Sequence, residues 1–441
     1  MEDPIQVPTR HYTPAIDSHF PRVKQTYPID VSIERRYWQT LHPVNHDTDY
    51  LKDSFVEFSL DSEPGSFLDM SSILLEANLQ LFKSDGTDPA AADVVIFTNG
   101  LIHALIRSRK LFLNSQLVES DHHSNLTRFI NTMSNVEAER VYREGYSSGY
   151  FAEARGGILN NSVAKANFLN EQRTIRNNYR KKGQIQVCGP LDLDLGKSNM
   201  LLPDRLNGRL HLDLADVSQL IQKPSDDVNN YKIKIYSIKL HYERVIPVSN
   251  AYLEFNKSLL SNNLEYHFQR QLVYKCTISA GQQQAYISQP YGTLVPQKLK
   301  LFMVDQSAHI GNDKSNIFYF DHFDLTNIKV GVNHLNMLEC DVKFPSKYAT
   351  LYNRVLRSME DPSIVHSISY TDFSNGLSII SVDLSNSKTN SLLQLEQRGH
   401  LDIALEFGTP LTSAINVFVI GFTVGTLEVD FERRISTHYN Y

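Results

Sequence analysis

Two acidic clusters mark where this chain could do acid–base or metal chemistry. Asp192-Leu193-Asp194 places two carboxylates on one face of an extended segment, which could suit either task. No histidine or third acid lies near them in sequence, so the pair reads as a solvated strand face. Glu119, Asp121, His122 and His123 are denser. Adjacent histidines on an extended chain point to opposite faces, so His122 and His123 are poorly placed to share one metal.

The remaining signals are weaker. The chain reads as free of GxGxxG, Walker A, HExxH, GxSxG and EF-hand patterns, and Gly156-Gly157 is too short to cradle a phosphate. Cys188, Cys276 and Cys340 are far apart, with no CxxC, which excludes zinc-ribbon and thioredoxin motifs. So sparse and odd a count suits a reducing compartment, and the three read as small buried hydrophobes. Arg173, Arg176, Arg180, Lys181 and Lys182 fall within ten residues without an acid. They could be an import signal or a phosphate contact; a solvated or interface-paired run is the plainer reading. Asn125-Leu-Thr, Asn160-Asn-Ser and Asn256-Lys-Ser match glycosylation sequons, and the opening MEDPIQVPTRHYTP has no apolar core of a signal peptide. The sequons are therefore expected to stay bare. No catalytic, cofactor-binding or metal-binding residue is assigned, no cofactor is expected, and the chain reads as no enzyme.

The elements that would position any site are mostly strands. The chain has 441 residues, 41% hydrophobic and 21% charged, in the range of soluble globular proteins. Twenty Gly and 17 Pro exclude low-complexity and collagen-like chains, and 22 Tyr with 22 Phe lean toward strands. A net charge of −6 excludes a surface wholly devoted to nucleic acid, leaving at most a weak DNA contact through 173–182. The longest apolar stretch, Ile415 to Leu427, is 13 residues and broken by Asn416, Gly421 and Gly425. A membrane span needs about 20, so none is expected.

Residues 1–50 carry six prolines (Pro4, Pro8, Pro14, Pro21, Pro28, Pro43) and little periodicity. They read as an extended arm, with Tyr37-Trp38 as an anchor it could bury. Period-two strands are expected at 55–60, 71–82, 94–97, 110–117, 297–304, 325–332, 377–384, 401–407 and 417–431. Asn114-Ser115 could mark a bend. Short helices are expected over 99–108, 125–143 and 350–365.

An internal echo organises these strands. Gly208 to Leu214, then Tyr231 to Arg244, is a short alternating strand, a loop and a long strand ending in Glu-Arg. Gly399 to Leu405, then Asn416 to Arg433, repeats it 191 residues later. Phe55 to Leu60 and Val273 to Ile278 read as matching openings. The fold class is therefore mainly β, with two tandem domains: 51–248 and 249–441, after the arm 1–50. Many short strands with long connections suit sandwiches and jelly rolls, which hide sheet edges by double-sheet packing.

The ordered blocks resemble a known family. Phe55 to Phe82 with its following DG, Asp93 to Glu119, Cys188-Gly-Pro-Leu191 with Leu201-Leu-Pro203, and Tyr231 to Pro247 are similar, in order, to the major capsid protein of Polinton/Maverick-type and adintovirus-like DNA viruses. The likeness covers roughly residues 50 to 340, and Ser115 stands where the family has glycine. It implies a tandem double jelly-roll of two eight-stranded antiparallel β-sandwiches with a few short helices in loops. It also implies homotrimeric, pseudo-hexagonal capsomers tiling an icosahedral shell around double-stranded DNA. The expected partners are neighbouring capsomers, penton or vertex proteins and minor cement proteins. The expected location is the virion capsid, assembled in the host nucleus or cytoplasm. Loops 83–93, 144–184, 305–322 and 345–376 would form towers and clasps, with the arm at the base. Two other readings are a carbohydrate-binding or hydrolytic jelly-roll protein and a minor vertex or fibre protein.

Overall fold

The computed structural model describes residues 32–45, 54–61, 63–90, 93, 95–135, 145, 147–150, 183–198, 200–223, 227–359, 367–385 and 396–439. The first half contains Ile33–Leu41 (β1), Phe55–Leu60 (β2), Phe67–Lys83 (β3), Ile96–Phe97 (β4), Ile106–Leu113 (β5), Gln116–Asp121 (β6), Gln184–Pro190 (β7), Gly208–Leu214 (β8), Ile221–Gln222 (β9) and Tyr231–Pro247 (β10). The second contains Leu264–Ile278 (β11), Gln284–Ser288 (β12), Leu294–Val295 (β13), Lys298–Asp305 (β14), Leu325–Val332 (β15), Leu335–Asp341 (β16), Ile380–Asp383 (β17), Gln397–Arg398 (β18), Leu401–Phe407 (β19), Ile415–Val429 (β20) and Ile435–Thr437 (β21).

Each half forms two four-stranded antiparallel sheets along the main path. They are β1-β10-β3-β7 with β2-β8-β5-β6, and β11-β20-β14-β17 with β12-β19-β15-β16. Setting aside the two-stranded pairs β4-β9 and β13-β18 and the strand β21 added beside β20, the order is the same in both halves. The first strand of each half pairs with the last, and the last with the third. Two jelly rolls of one topology therefore stand in tandem.

Alternation drives the strands. Along β3, Ile73, Leu75, Ala77, Leu79 and Leu81 are buried while Glu76, Asn78 and Gln80 face outward, half-buried. β10 buries Tyr231, Ile233 and Ile235, then Ile238, Leu240 and Tyr242. This change of phase is absorbed by a register shift between Ile235 and Ser237, a β-bulge that turns the apolar set back to the core. β20 is different: every residue from Ile415 to Thr423 is buried. One face packs in its own roll and the other lies under the first roll.

The echoed segments are β8 with β10 and β19 with β20, the seventh and eighth strands of each roll. The proposed openings do not match, however. Phe55–Leu60 is a second strand, paired with β8, whereas Val273–Ile278 is the end of β11, a first strand. The first roll's own first strand is β1, inside the segment read as an arm. It hides because Glu34, Arg35 and Arg36 break the alternation expected of a strand. Tyr37 turns inward and donates its hydroxyl to Glu63 at 2.9 Å, but Trp38 is 54% exposed rather than a buried anchor. Helices occupy Leu101–Leu105, Ser124–Asn135 and Ala349–Ser358, shorter than expected from spacing. Ile106 instead starts β5, and residues 136–144 and 360–366 lie outside the described set. Asn114 and Ser115, both at positive φ, turn β5 into β6.

Candidate functional site

The two acidic clusters, distant in sequence, converge at the junction between the rolls. Their meeting point is Arg109 on β5, fully buried. Its Nε donates to Glu119 Oε1 at 2.8 Å, its Nη1 donates to the Leu191 carbonyl at 3.0 Å, and Asp121 and Asp194 lie 3.9 and 4.0 Å from Nη2. Asp194 is no solvated strand residue: it is 3% exposed, in a turn, with its backbone amide donated to Glu119 Oε2 at 2.8 Å. Its carboxylate reaches into the second roll, accepting from the Gln271 backbone at 3.0 Å and from the Gln271 side chain at 2.9 Å. Lys197 stands 3.2 Å from Asp194 and 3.8 Å from Asp192. Asn131, on the helix Ser124–Asn135, donates to Asp192 at 2.8 Å and to Gln271 at 3.1 Å.

The electrostatics follow from burial and company. Burial pushes the Glu119 carboxyl up to about 7, with Arg109 pulling the other way. Burial would also raise Asp192, yet Lys197, Arg109 and the Asn131 amide hold it below the usual range. Burial opposes the charge on Arg109, but Glu119 and its acidic neighbours keep it firmly protonated. Among the described residues, no group of three or more His, Cys, Asp or Glu is arranged to hold a metal ion. The cluster is a set of ion pairs and hydrogen bonds that pins one roll to the other.

His122 and His123 separate here, as their adjacency requires. His123 stacks edge-on against Phe418 of β20 at 5.1 Å and lies 5.4 Å from His309 of the second roll. Burial above all lowers both imidazoles to about 4, helped by Lys275 at His123 and by His123 and then Lys275 at His309, so they stay neutral near pH 7. Around them, Phe129 stacks on Phe318 at 4.1 Å with planes 6° apart, and Lys300 donates to Ser134 at 2.7 Å. On the far side, Arg433 pairs with Asp204 at 2.8 Å, and Tyr439 donates to the Val118 carbonyl at 3.0 Å. Asp204 also accepts from the Gly65 amide and the Tyr252 hydroxyl, which hold its carboxyl below the usual range despite burial. The echoed Glu-Arg ends thus do different work. Arg244 stays in β10 and bonds Gln39, Ser66, Asp61 and Tyr242 within its own roll, while Arg433 crosses the junction.

Three arrangements resemble hydrolase parts. Against the expectation of no such motif, Gly145-Tyr-Ser-Ser-Gly149 does have GxSxG spacing, legible in the sequence itself. A nucleophile elbow strains the serine itself, but here the positive φ falls on Gly149, which packs over Leu101. Ser288, His400 and Asp402 meet on the second roll. Ser288 contacts His400 Nε2 at 3.2 Å, and Asp402 lies 2.9 Å from the same nitrogen, out of line for a hydrogen bond. A relay needs the acid on Nδ1, which instead meets Gln289. Ser108 and His211 share Asp213 between them and do not meet each other. The signal for the last two, His-Leu-Asp in both echoed strands, was legible only as strand alternation.

Other flagged residues have structural places. Asn125 is buried, and Asn256 donates to the Tyr252 carbonyl at 2.9 Å. Cys340 is buried, Cys188 and Cys276 are half-buried, and all three are free thiols. The basic run 173–182, Asn160 and Gly156-Gly157 lie outside the described residues. Among those described, no helix is long and apolar enough to cross a membrane.

Paired sheets of the same strand order, twice in one chain, define the double jelly-roll fold, a fold shared with viral major capsid proteins. No family model matches the sequence, and no curated protein does. The chain is similar in structure to a protein of the Sputnik virophage, with TM-score 0.57 and 10% identity over 97% of this chain and 94% of that one. It is similar to the mavirus major capsid protein, with TM-score 0.54 and 9% identity over 99% and 95%. It is also similar to the Faustovirus major capsid protein, with TM-score 0.56 and 8% identity over 93% and 92%. At identities this low, TM-scores above 0.5 show a shared fold.

Proposed function

We propose that this chain is a structural, non-enzymatic major capsid protein. Three copies form a pseudo-hexagonal capsomer, and the capsomers tile an icosahedral shell around a double-stranded DNA genome. The observation that carries this reading is the tandem repeat itself. Two rolls of one strand order are locked side by side through Asp194–Gln271, Arg433–Asp204 and Phe129–Phe318. A rigid block of two equivalent units is what a trimer needs to present six similar faces from one gene. The full-length likeness to viral major capsid proteins supports the role. The ordered blocks around Cys188-Gly-Pro-Leu191 support a place near the Polinton/Maverick-type viruses.

On this reading the chain divides after Val248, where β10 has ended and the helix Ser249–Leu259 begins, and the first roll reaches back to Ile33. Neighbouring capsomers, vertex proteins and cement proteins are its partners, and the virion is its location. Negative-stain images of the purified chain test the role. Blocks of hexagonal outline are expected; elongated two-lobed single chains would count against it.

A further inference from the structure

Within one chain, the first roll covers the second in a defined way. Edge strand β6, the turn at Asn114-Ser115 and the following helix Ser124–Asn135 sit on the sheet β11-β20-β14-β17. Val118 of β6 receives Tyr439, Asn114 donates to the Arg433 carbonyl at 2.8 Å, and the helix supplies Asn131 and Ser134 to Gln271 and Lys300. That cover is why β20 is buried on both faces.

The first roll owns the corresponding sheet, β1-β10-β3-β7, in the same strand order. Among the described residues its outer face is left open. Lys234, Tyr236, Lys239, His241 and Glu243 alternate outward on β10, half-buried, where β20 is buried. A hydrogen-bonded row crosses this face, Thr40 to His241 at 2.8 Å and His241 to Glu76 at 3.1 Å. Trp38 stands beside it, opposite Glu243, with 54% of its surface exposed.

The second roll owns the corresponding covering parts. Edge strand β16 follows a turn at Asn333-His334, with φ of 50° and 68° against 44° and 68° at Asn114-Ser115. The helix Ala349–Ser358 comes after it. β16 leaves Leu335 69% and Met337 41% exposed, with Glu339 and Asp341 further along. On β1, Arg36 shares the face of Trp38 and pairs there with Asp69 and Glu243 of its own sheet at 3.4 Å. Among the described residues, exposed apolar side chains thus stand on both surfaces, Trp38 on one and Leu335 and Met337 on the other.

We propose that the β15–β16 hairpin and the helix Ala349–Ser358 of one copy dock on the outer β1-β10-β3-β7 face of a second copy, with Trp38 as the anchor. The contact repeats between chains the junction seen within one. It is head-to-tail, so a ring closes when the rotation suits, and three copies give six rolls. Exposed tryptophans are favoured anchors at such interfaces. The inference rests on the capsomer reading and adds to it which surfaces meet.

The test uses the full-length chain. Trp38→Asp and, separately, Met337→Asp are each expected to drop the native mass about threefold, to the 50.4 kDa of one chain. Val228→Asp, at a loop position 89% exposed, is expected to leave it unchanged. Circular dichroism confirms that each variant folds. Benzoylphenylalanine in place of Trp38 reads the contact even if a charged variant does not fold, and its crosslinks are expected in residues 325–358 of another copy. Wild-type trimers that survive both substitutions, or crosslinks that land elsewhere, overturn the docking and leave the capsomer standing. A wild-type chain that stays monomeric overturns both.

Discussion

Gln271 of the second roll donates its backbone amide and its side-chain amide to the two oxygens of Asp194 in the first, at 3.0 and 2.9 Å. The carboxylate is thereby held from across the junction, in a site already containing Arg109, Glu119 and Lys197. Removing one member of such a buried set leaves the others short of a partner.

Asp194→Ala is accordingly expected to lower stability by about 3–5 kcal/mol, the cost of an uncompensated buried charge. Asp194→Asn, which keeps one acceptor, is expected to cost less. Urea unfolding monitored by tyrosine fluorescence measures both. Equal midpoints for wild type and Asp194→Ala would show the network to be idle.

The ring stack of Phe129 on Phe318 joins the rolls through apolar surface. Phe129→Ala is expected to cost about 3–5 kcal/mol by removing a buried ring. It is also expected to loosen the coupling between halves. Calorimetry then shows two separated transitions where the wild type shows one. A single transition, lowered in temperature, would mean the ring matters only to its own roll.

Acidity acts on the junction through its histidines. His123 and His309 have folded-state values near 4, and His103 near 3, all below the ordinary 6.5. A lowered histidine adds stability above its unfolded value that is lost as pH falls through its folded one. Glu119, raised to about 7, works in the opposite sense, losing stability as pH rises from about 4.5 through 7. Three lowered histidines outweigh one raised acid, so the melting temperature is expected to climb from pH 4 to 6.5. Glu119→Gln is expected to steepen that climb. A flat profile in both proteins would contradict the assignment.

The Asn114-Ser115 turn joins β5 to β6 with both residues at positive φ, 44° and 68°. Glycine takes such a conformation without a Cβ penalty of about 1 kcal/mol. Ser115→Gly is therefore expected to raise stability by about that amount in a thermal melt. A decrease would mean that the serine side chain is needed there.

Strands that alternate cleanly could be read from the residues alone. β2, β8, β15 and β19 begin and end where period-two spacing puts them, because each has one face in its own roll. β1 could not be read, since an edge strand with Glu34, Arg35 and Arg36 outside the core has no apolar stripe. Nor could the burial of Asp194 be read, since Gln271, the residue that makes it tolerable, is 77 positions away. The two acidic clusters were visible as residues, but their convergence on Arg109 is a property of the fold. The echo of β8 and β10 in β19 and β20 was visible because a repeated strand order repeats its alternation.

The central claim is that this chain assembles as a trimeric capsid block, and the native mass of the full-length protein by light scattering tests it most directly. One chain is 50.4 kDa, so a single species near 151 kDa is predicted, holding its mass on dilution through the micromolar range. A stable species of about 50 kDa at every concentration would contradict the account.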